Sequence, residues 1–272
     1  MDNRPVLFID SGIGGIPYCR DFIKHNPQEK ICYLADRENF PYGQRGKEEL
    51  ISILISLTEK LIKTTNPKII VLACNTASIS ALDSLRQKFS QIPFVGTVPA
   101  VKPAAKACNS GKIGILGTTR TIEDPYIQRL AFSEGLETEI FAVAAPDLVE
   151  FVEQRFEKTD EKEKAEIIKK YIEIFHAKGV DTLVLGCTHF LYLLEEFRRE
   201  AAPSIKIFDS QDGVTKRIEF LLDENNGALR SEVSRAENDF GNDHRLLLTG
   251  TEPADALWQN RAQGLNFKLS LL

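Results

Sequence analysis

Short, unbroken apolar runs recur along this chain, and each is followed by a stretch with helical spacing of its apolar residues. PVLFI (Pro5 to Ile9) runs into DSGIGG and a helix-like segment to about His25. KICYLA (Lys30 to Ala35) precedes the turn-rich DRENFPYGQRG, and Glu48 to Thr65 reads as an amphipathic helix carrying Ile51, Leu54, Ile55, Leu57 and Leu61. KIIVLA then leads into a helix expected from Ala77 to about Phe89, and PFVG (Pro93 to Gly96) closes the set. A strand that is apolar at every position must be covered on both faces, which is the condition of a parallel sheet layered by crossover helices. The fold class is therefore α/β, with mainly parallel sheets.

KIGILG (Lys112 to Gly117) opens a second set, followed by TEIFAVA, a charged helix from Glu161 to Lys178, TLVLG, a helix after His189, and KIFDS ending at Ser210. The two sets run alike. Each opens on a strand with a small polar turn at its end, at Asp10 and Thr118, and each later holds a strand ending in cysteine, at Cys74 and Cys187. Two related α/β units, a pseudo-two-fold pair, account for that order. Beyond about residue 208 another strand–helix unit follows, then a polar stretch from Glu224 to Arg245 expected as a solvated loop, then LLLTG with strand character.

The 272 residues suffice for two domains of ordinary size. A net charge of -5, with no dense run of Lys and Arg, argues against nucleic acid or an anionic membrane as partner. The N-terminus carries no signal-like apolar stretch and no segment reaches membrane-spanning length, so a cytoplasmic location is expected. Five cysteines without export signal or CxxC pair point to free thiols rather than disulfides or structural zinc.

In open parallel sheets, ligands bind beyond the carboxyl ends of the strands, where helix N-termini present free N–H groups. The residues at that edge here are Asp10-Ser11, Cys74-Asn75-Thr76, Thr118 to Thr121 and Cys187-Thr188-His189. Any one Ser, Thr, Asn or Asp among them could be a helix cap, and any one cysteine inert packing, as expected of Cys19, Cys32 and Cys108. The coincidence is what matters: two thiols at matching places, each followed by groups able to hold a carboxylate. Thiolate formation is favoured at a helix N-terminus, and Asp10 or His189 could accept a thiol proton. Two thiols on opposite faces of a planar carbanion can take a proton from one face and return one to the other, which is racemisation. DSGIGG lacks the third glycine of a dinucleotide fingerprint and a Walker lysine, and no strand end offers a lysine for pyridoxal phosphate. A reaction without cofactor or metal is expected.

Taken in order, FIDSGIGG, the DRENFPYG loop, LACNTAS, VGTVPAVKPA, GTTRTI and LGCTHF resemble the signature segments of the bacterial glutamate racemases, within the cofactor-independent aspartate/glutamate racemase superfamily. The resemblance spans roughly Val6 to Ser210. It implies interconversion of L- and D-glutamate, supplying D-glutamate for peptidoglycan, with Cys74 deprotonating the D-enantiomer and Cys187 the L-enantiomer. Asp10 and His189 then match the auxiliary acid/base positions. Ser11, Asn75, Thr76 and Thr188 match the holders of the α-carboxylate and amine. Pro41, Tyr42, Gly43, Thr118 and Thr121 match those nearer the side-chain carboxylate, and Glu150 matches a supporting glutamate. The resemblance also implies a discontinuous first domain (1–97 with 208–272), a second domain (98–207), and a substrate clamped between them. Glutamate is the expected partner, a homodimer is compatible, and a related racemase of aspartate or another small amino acid, or a non-catalytic amino-acid binder, are the alternatives.

Overall fold

The computed structural model describes residues 2–127, 129, 138–230 and 244–272. They form two compact units, Met1–Thr97 with Gln211–Leu272, and Val98–Ser210. In chain order the first unit begins with β1 (Val6–Asp10), α1 (Ile16–His25), β2 (Ile31–Ala35), α2 (Lys47–Thr65), β3 (Ile69–Leu72), α3 (Asn75–Lys88) and β4 (Phe94–Gly96). The second unit holds α4 (Val101–Ala107), β5 (Lys112–Gly117), α5 (Thr119–Glu123), β6 (Glu139–Ala144), α6 (Pro146–Gln154), α7 (Glu161–Ala177), β7 (Thr182–Leu185), α8 (Leu194–Ala201) and β8 (Lys206–Phe208). The chain then returns to the first unit with α9 (Gln211–Gly227), β9 (Arg245–Leu248), α10 (Ala256–Leu265) and β10 (Lys268–Leu271).

The first sheet runs β10-β9-β2-β1-β3-β4 and the second β6-β5-β7-β8, and every strand pair in both is parallel. The four strands β2-β1-β3-β4 therefore recur in the order β6-β5-β7-β8. The two related units expected from the sequence are present, with β9 and β10 extending the first sheet.

All residues of β1, β2 and β3 are buried, as unbroken apolar strands must be when helices cover both faces. Leu7 and Ile9 of β1 join Leu50, Leu54 and Leu61 of α2 and Ala77, Ala81 and Leu85 of α3 in one apolar cluster. Phe8 points to the other face, its ring centroid 5.9 Å from that of Phe22 on α1. Alternation along a five-residue strand thus holds two helical layers. The entry to α1 is equally close. A Cβ on Gly15 would stand 2.6 Å from Cβ of Ala73, so only glycine lets this turn lie against the end of β3. Tyr33 clamps the turn, its hydroxyl accepting from the Gly15 N–H and donating to the Gly12 carbonyl.

In the second unit, α7 buries Ile168, Tyr171, Ile172 and Phe175 along one stripe, at the helical spacing of its apolar residues. Phe175 lies over Gly114 of β5, where a Cβ would approach its ring to 2.7 Å.

Several expectations shift. The helix after Cys74 begins at Asn75 rather than Ala77, because the chain turns straight from strand into helix at the cysteine. The chain returns to the first unit at Gln211 rather than at 208, because Lys206–Phe208 pairs with β7 in the second sheet. Of the stretch expected as loop, Glu224 belongs to α9, whose helix extends to Gly227, and residues 231–243 lie outside the described residues. The C-terminal helix–strand pair, α10 and β10, was not anticipated. Its signal was present in Asp255, whose carboxylate accepts from the Trp258 N–H as an N-cap, and in Asn266, left-handed (φ 57°) at the helix end.

Candidate active site

Each unit builds one strand-end constellation, and the two follow the same local design. In the first unit the Ala73 N–H bonds to the Ile9 carbonyl at 2.8 Å; in the second the Gly186 N–H bonds to the Leu116 carbonyl at 2.7 Å. Cys74 and Cys187 follow immediately, both with extended backbone (φ -144°, ψ 120° and φ -140°, ψ 134°), and each is the last residue before a helical segment. Cys74 is thereby the N-cap residue of α3, and Cys187 precedes a 3-10 stretch, Thr188–Leu193, that leads into α8. The hydrogen-bond pattern makes Gly117, not Thr118, the counterpart of Asp10, and Thr118 the counterpart of Ser11. The sequence-level alignment was one residue out.

Around Cys74, which is 7% exposed, the first unit gathers Asp10 (fully buried), Ser11, Asn75 and Thr76, all buried. Asp10 accepts the Gly12 N–H at 2.7 Å, an Asx turn that ties the carboxylate to the glycine turn. Both amide atoms of Asn75 are buried without a hydrogen-bond partner among the described residues. A buried amide in that state costs roughly 1–3 kcal/mol unless something arrives to pair with it. Tyr42 packs into the same apolar cluster as Cys74. Its hydroxyl donates to Asp36 at 2.7 Å, so it is directed away from the role of a side-chain ligand donor. Burial pushes the Tyr42 phenol well above its ordinary range, and the charges of Asp36, Cys74 and Asp10 push the same way. Pro41 and Gly43 flank it, half-buried, in a turn that contains the short 3-10 segment Tyr42–Gln44.

Around Cys187, 6% exposed, lie Thr188 and His189, both buried. The Cys187 sulfur is 3.8 Å from Nδ1 of His189, and Nε2 of that ring is 2.8 Å from Oε1 of Glu153. With Glu153 accepting the Nε2 proton, Nδ1 is left facing the thiol as an acceptor, the order of nucleophile, base and orienting carboxylate. Thr118 caps α5, its Oγ1 accepting from the Thr121 N–H and donating to the Thr121 hydroxyl at 3.0 Å.

Glu153 is the residue that sequence reasoning missed. Glu150, matched by resemblance, is exposed on α6, whereas Glu153 on the same helix reaches His189. The helical period held the signal. Leu148, Val149 and Val152 are buried on α6, and Glu153 stands one turn beyond Val149 on that stripe, while Glu150 turns away from it.

The family profile described as Asp/Glu/Hydantoin racemase matches residues 23–217. The chain belongs to this family. Among its relatives, a glutamate racemase of Shewanella piezotolerans is 40% identical over 221 residues, covering 80% of this chain and 80% of that protein. One from Bartonella tribocorum is 37% identical over 225 residues, 82% of each. Among solved structures, Escherichia coli glutamate racemase in complex with L-glutamate and the activator UDP-MurNAc-Ala superposes with a TM-score of 0.82, at 27% identity, covering 99% of this chain and 98% of that one. The parallel two-sheet architecture is thus the one seen in racemases of this family. Among the described residues no helix is long and apolar enough to cross a membrane.

Proposed function

We propose that this chain interconverts L- and D-glutamate by proton transfer at the α-carbon, using Cys74 and Cys187 and no cofactor. The observation that carries the reading is the repetition of one strand-end cysteine, with one backbone conformation, in two sheets that share a four-strand order. A binding protein has no need of the second thiol. The glutamate assignment rests on the relatives, named glutamate racemases, and on the L-glutamate complex of the E. coli protein.

In the proposed reaction Cys74 as thiolate takes the α-proton of D-glutamate, leaving a planar carbanion, and the Cys187 thiol gives its proton to the other face. L-glutamate leaves, and proton exchange with solvent returns Cys74 to the thiolate and Cys187 to the thiol. The reverse reaction starts at Cys187. Asp10 supports the first thiol, and His189, held by Glu153, the second. Ser11, Asn75, Thr76 and Thr188 hold the α-carboxylate and amine, and the unpaired Asn75 amide supports that role. The Pro41–Tyr42–Gly43 turn, with Thr118 and Thr121, receives the side-chain carboxylate. Neutral donors suit this task, since a guanidinium would also pair with the thiolates. The product would serve peptidoglycan synthesis, and so cell shape, in the cytoplasm.

A circular-dichroism assay on L- and D-glutamate without added cofactor, with aspartate as control, tests the reading. Racemisation of glutamate with solvent deuterium entering at the α-carbon is expected, and near-complete loss in Cys74→Ser and in Cys187→Ser. Faster turnover of aspartate would overturn the substrate assignment, and full activity in either serine variant the two-thiol mechanism.

A further inference from the structure

The Tyr42 hydroxyl is spoken for by Asp36, and Asp36 is itself held from the far end of the chain. β2 and β9 are neighbours with Ala35 opposite Leu248, so the next residues, Asp36 and Thr249, meet at the sheet edge. The Thr249 hydroxyl donates to Asp36 Oδ1 at 2.7 Å and accepts from the Glu38 N–H at 3.1 Å. The Thr249 carbonyl accepts from Nε of Arg37 at 2.6 Å, and the same guanidinium donates to the carbonyls of Glu252 and Pro253. Asp36 is 0% exposed and also accepts from the Asn39 amide (2.9 and 3.0 Å) and from Tyr42. Three consecutive residues ahead of the PYG turn are thus tied to Thr249–Pro253, and one carboxylate passes that restraint to the tyrosine beside Cys74.

We infer that Thr249 is a positioning residue for the Cys74 half of the site, acting through Asp36 on Tyr42 and so on the Pro41–Tyr42–Gly43 turn. The inference rests on the proposed racemase reading, in which that turn receives the side-chain carboxylate. A buried carboxylate is fixed only while its donors are in place. Without the Thr249 hydroxyl, Asp36 can follow the Asn39 amide instead, and the tyrosine loses a stationary acceptor. The turn after β9 thereby contributes to substrate binding although none of the resembling motifs includes it.

The test is a double-mutant cycle on the full chain, with Thr249→Val, Tyr42→Phe and the pair, plus Thr249→Ser as the conservative rescue. Thr249→Val keeps the side-chain shape and removes the hydroxyl. A fall of about tenfold in kcat/KM is expected, the scale of one hydrogen bond to a charged group, carried mainly by KM. Because the two enantiomers have equal free energy, the fall must be equal in both directions. Thr249→Ser should return to within about twofold of wild type, and Thr249→Val should have little further effect in the Tyr42→Phe background. Unchanged KM in Thr249→Val, failure of serine to rescue, or additive losses in the double variant would each overturn the inference. If Thr249→Val does not fold, Thr249→Ala takes its place in the cycle. A wild-type protein inert on glutamate would instead refute the racemase reading, whereas an active wild type with an indifferent Thr249→Val refutes this inference alone.

Discussion

Glu153→Gln isolates the contribution of the carboxylate behind His189. The side chains are 4% and 10% exposed and their atoms 2.8 Å apart, so this is a charge-assisted hydrogen bond largely out of water. Glutamine preserves the length and can still accept from Nε2, but not with a full charge. Bonds to charged groups contribute roughly 1.5–3 kcal/mol against about 1 for neutral ones, so the substitution should remove roughly 1–2 kcal/mol. If that stabilisation is felt when His189 takes up the Cys187 proton, the rate falls by roughly 5- to 30-fold. Since the overall equilibrium constant of a racemisation is one, kcat/KM must fall by the same factor from either enantiomer. The location of the loss shows in primary isotope effects. Raising only the barrier at Cys187 makes the effect with L-[2-2H]glutamate larger and moves that with D-[2-2H]glutamate towards unity. Glu150→Gln, on the exposed side of the same helix, should behave as wild type. Isotope effects unchanged in Glu153→Gln, with a rate within about twofold of wild type, would refute the argument, as would a larger loss in Glu150→Gln.

Burial pushes the Cys19 thiol far up and the Cys32 thiol up to about 12, so neither should alkylate in the native protein at pH 8, and mass-resolved iodoacetamide labelling should find them only after denaturation. Asp181 is held below the usual carboxylate range: burial works to raise it, but the N–H groups of Asn109 and Ser110 and the Cys108 thiol outweigh that. Its depressed pKa adds stability present above the unfolded value near pH 4 and lost as pH falls towards the folded value, so Asp181→Asn should lower the urea midpoint at pH 7 and matter progressively less below about pH 4. The ammonium of Lys68 and the carboxylate of Glu29 are paired with both side chains fully buried, and Glu29→Leu, leaving the ammonium without its carboxylate, should cost about 3–5 kcal/mol in chemical unfolding, most of it regained on adding Lys68→Met.

Much of the site could be read from residue order alone. Unbroken apolar strands have one stable environment, a parallel sheet covered on both faces, and the end of each such strand is where a turn must place its polar residues. That logic led to Asp10, Cys74, Cys187 and His189 without coordinates, because each lies within two residues of a strand end or of the cysteine beside it. The exact correspondence of the two repeats lay beyond it: Thr118 reads as the counterpart of Asp10, whereas the matching hydrogen bonds inside each unit make it the counterpart of Ser11. Side-chain direction lay beyond it as well. Glu150 and Glu153 lie on the same helix, and although the helical period puts Glu153 on the buried stripe, only the packing of α6 brings its carboxylate to His189. The same holds for Tyr42, which the motif offers as a ligand donor and which the fold turns towards Asp36. Local sequence determined which groups reach the strand ends, since strand and turn are short-range outcomes of apolar pattern and glycine. Which groups face each other across β2 and β9, residues more than two hundred positions apart, was decided only when the sheet brought Thr249 beside Asp36.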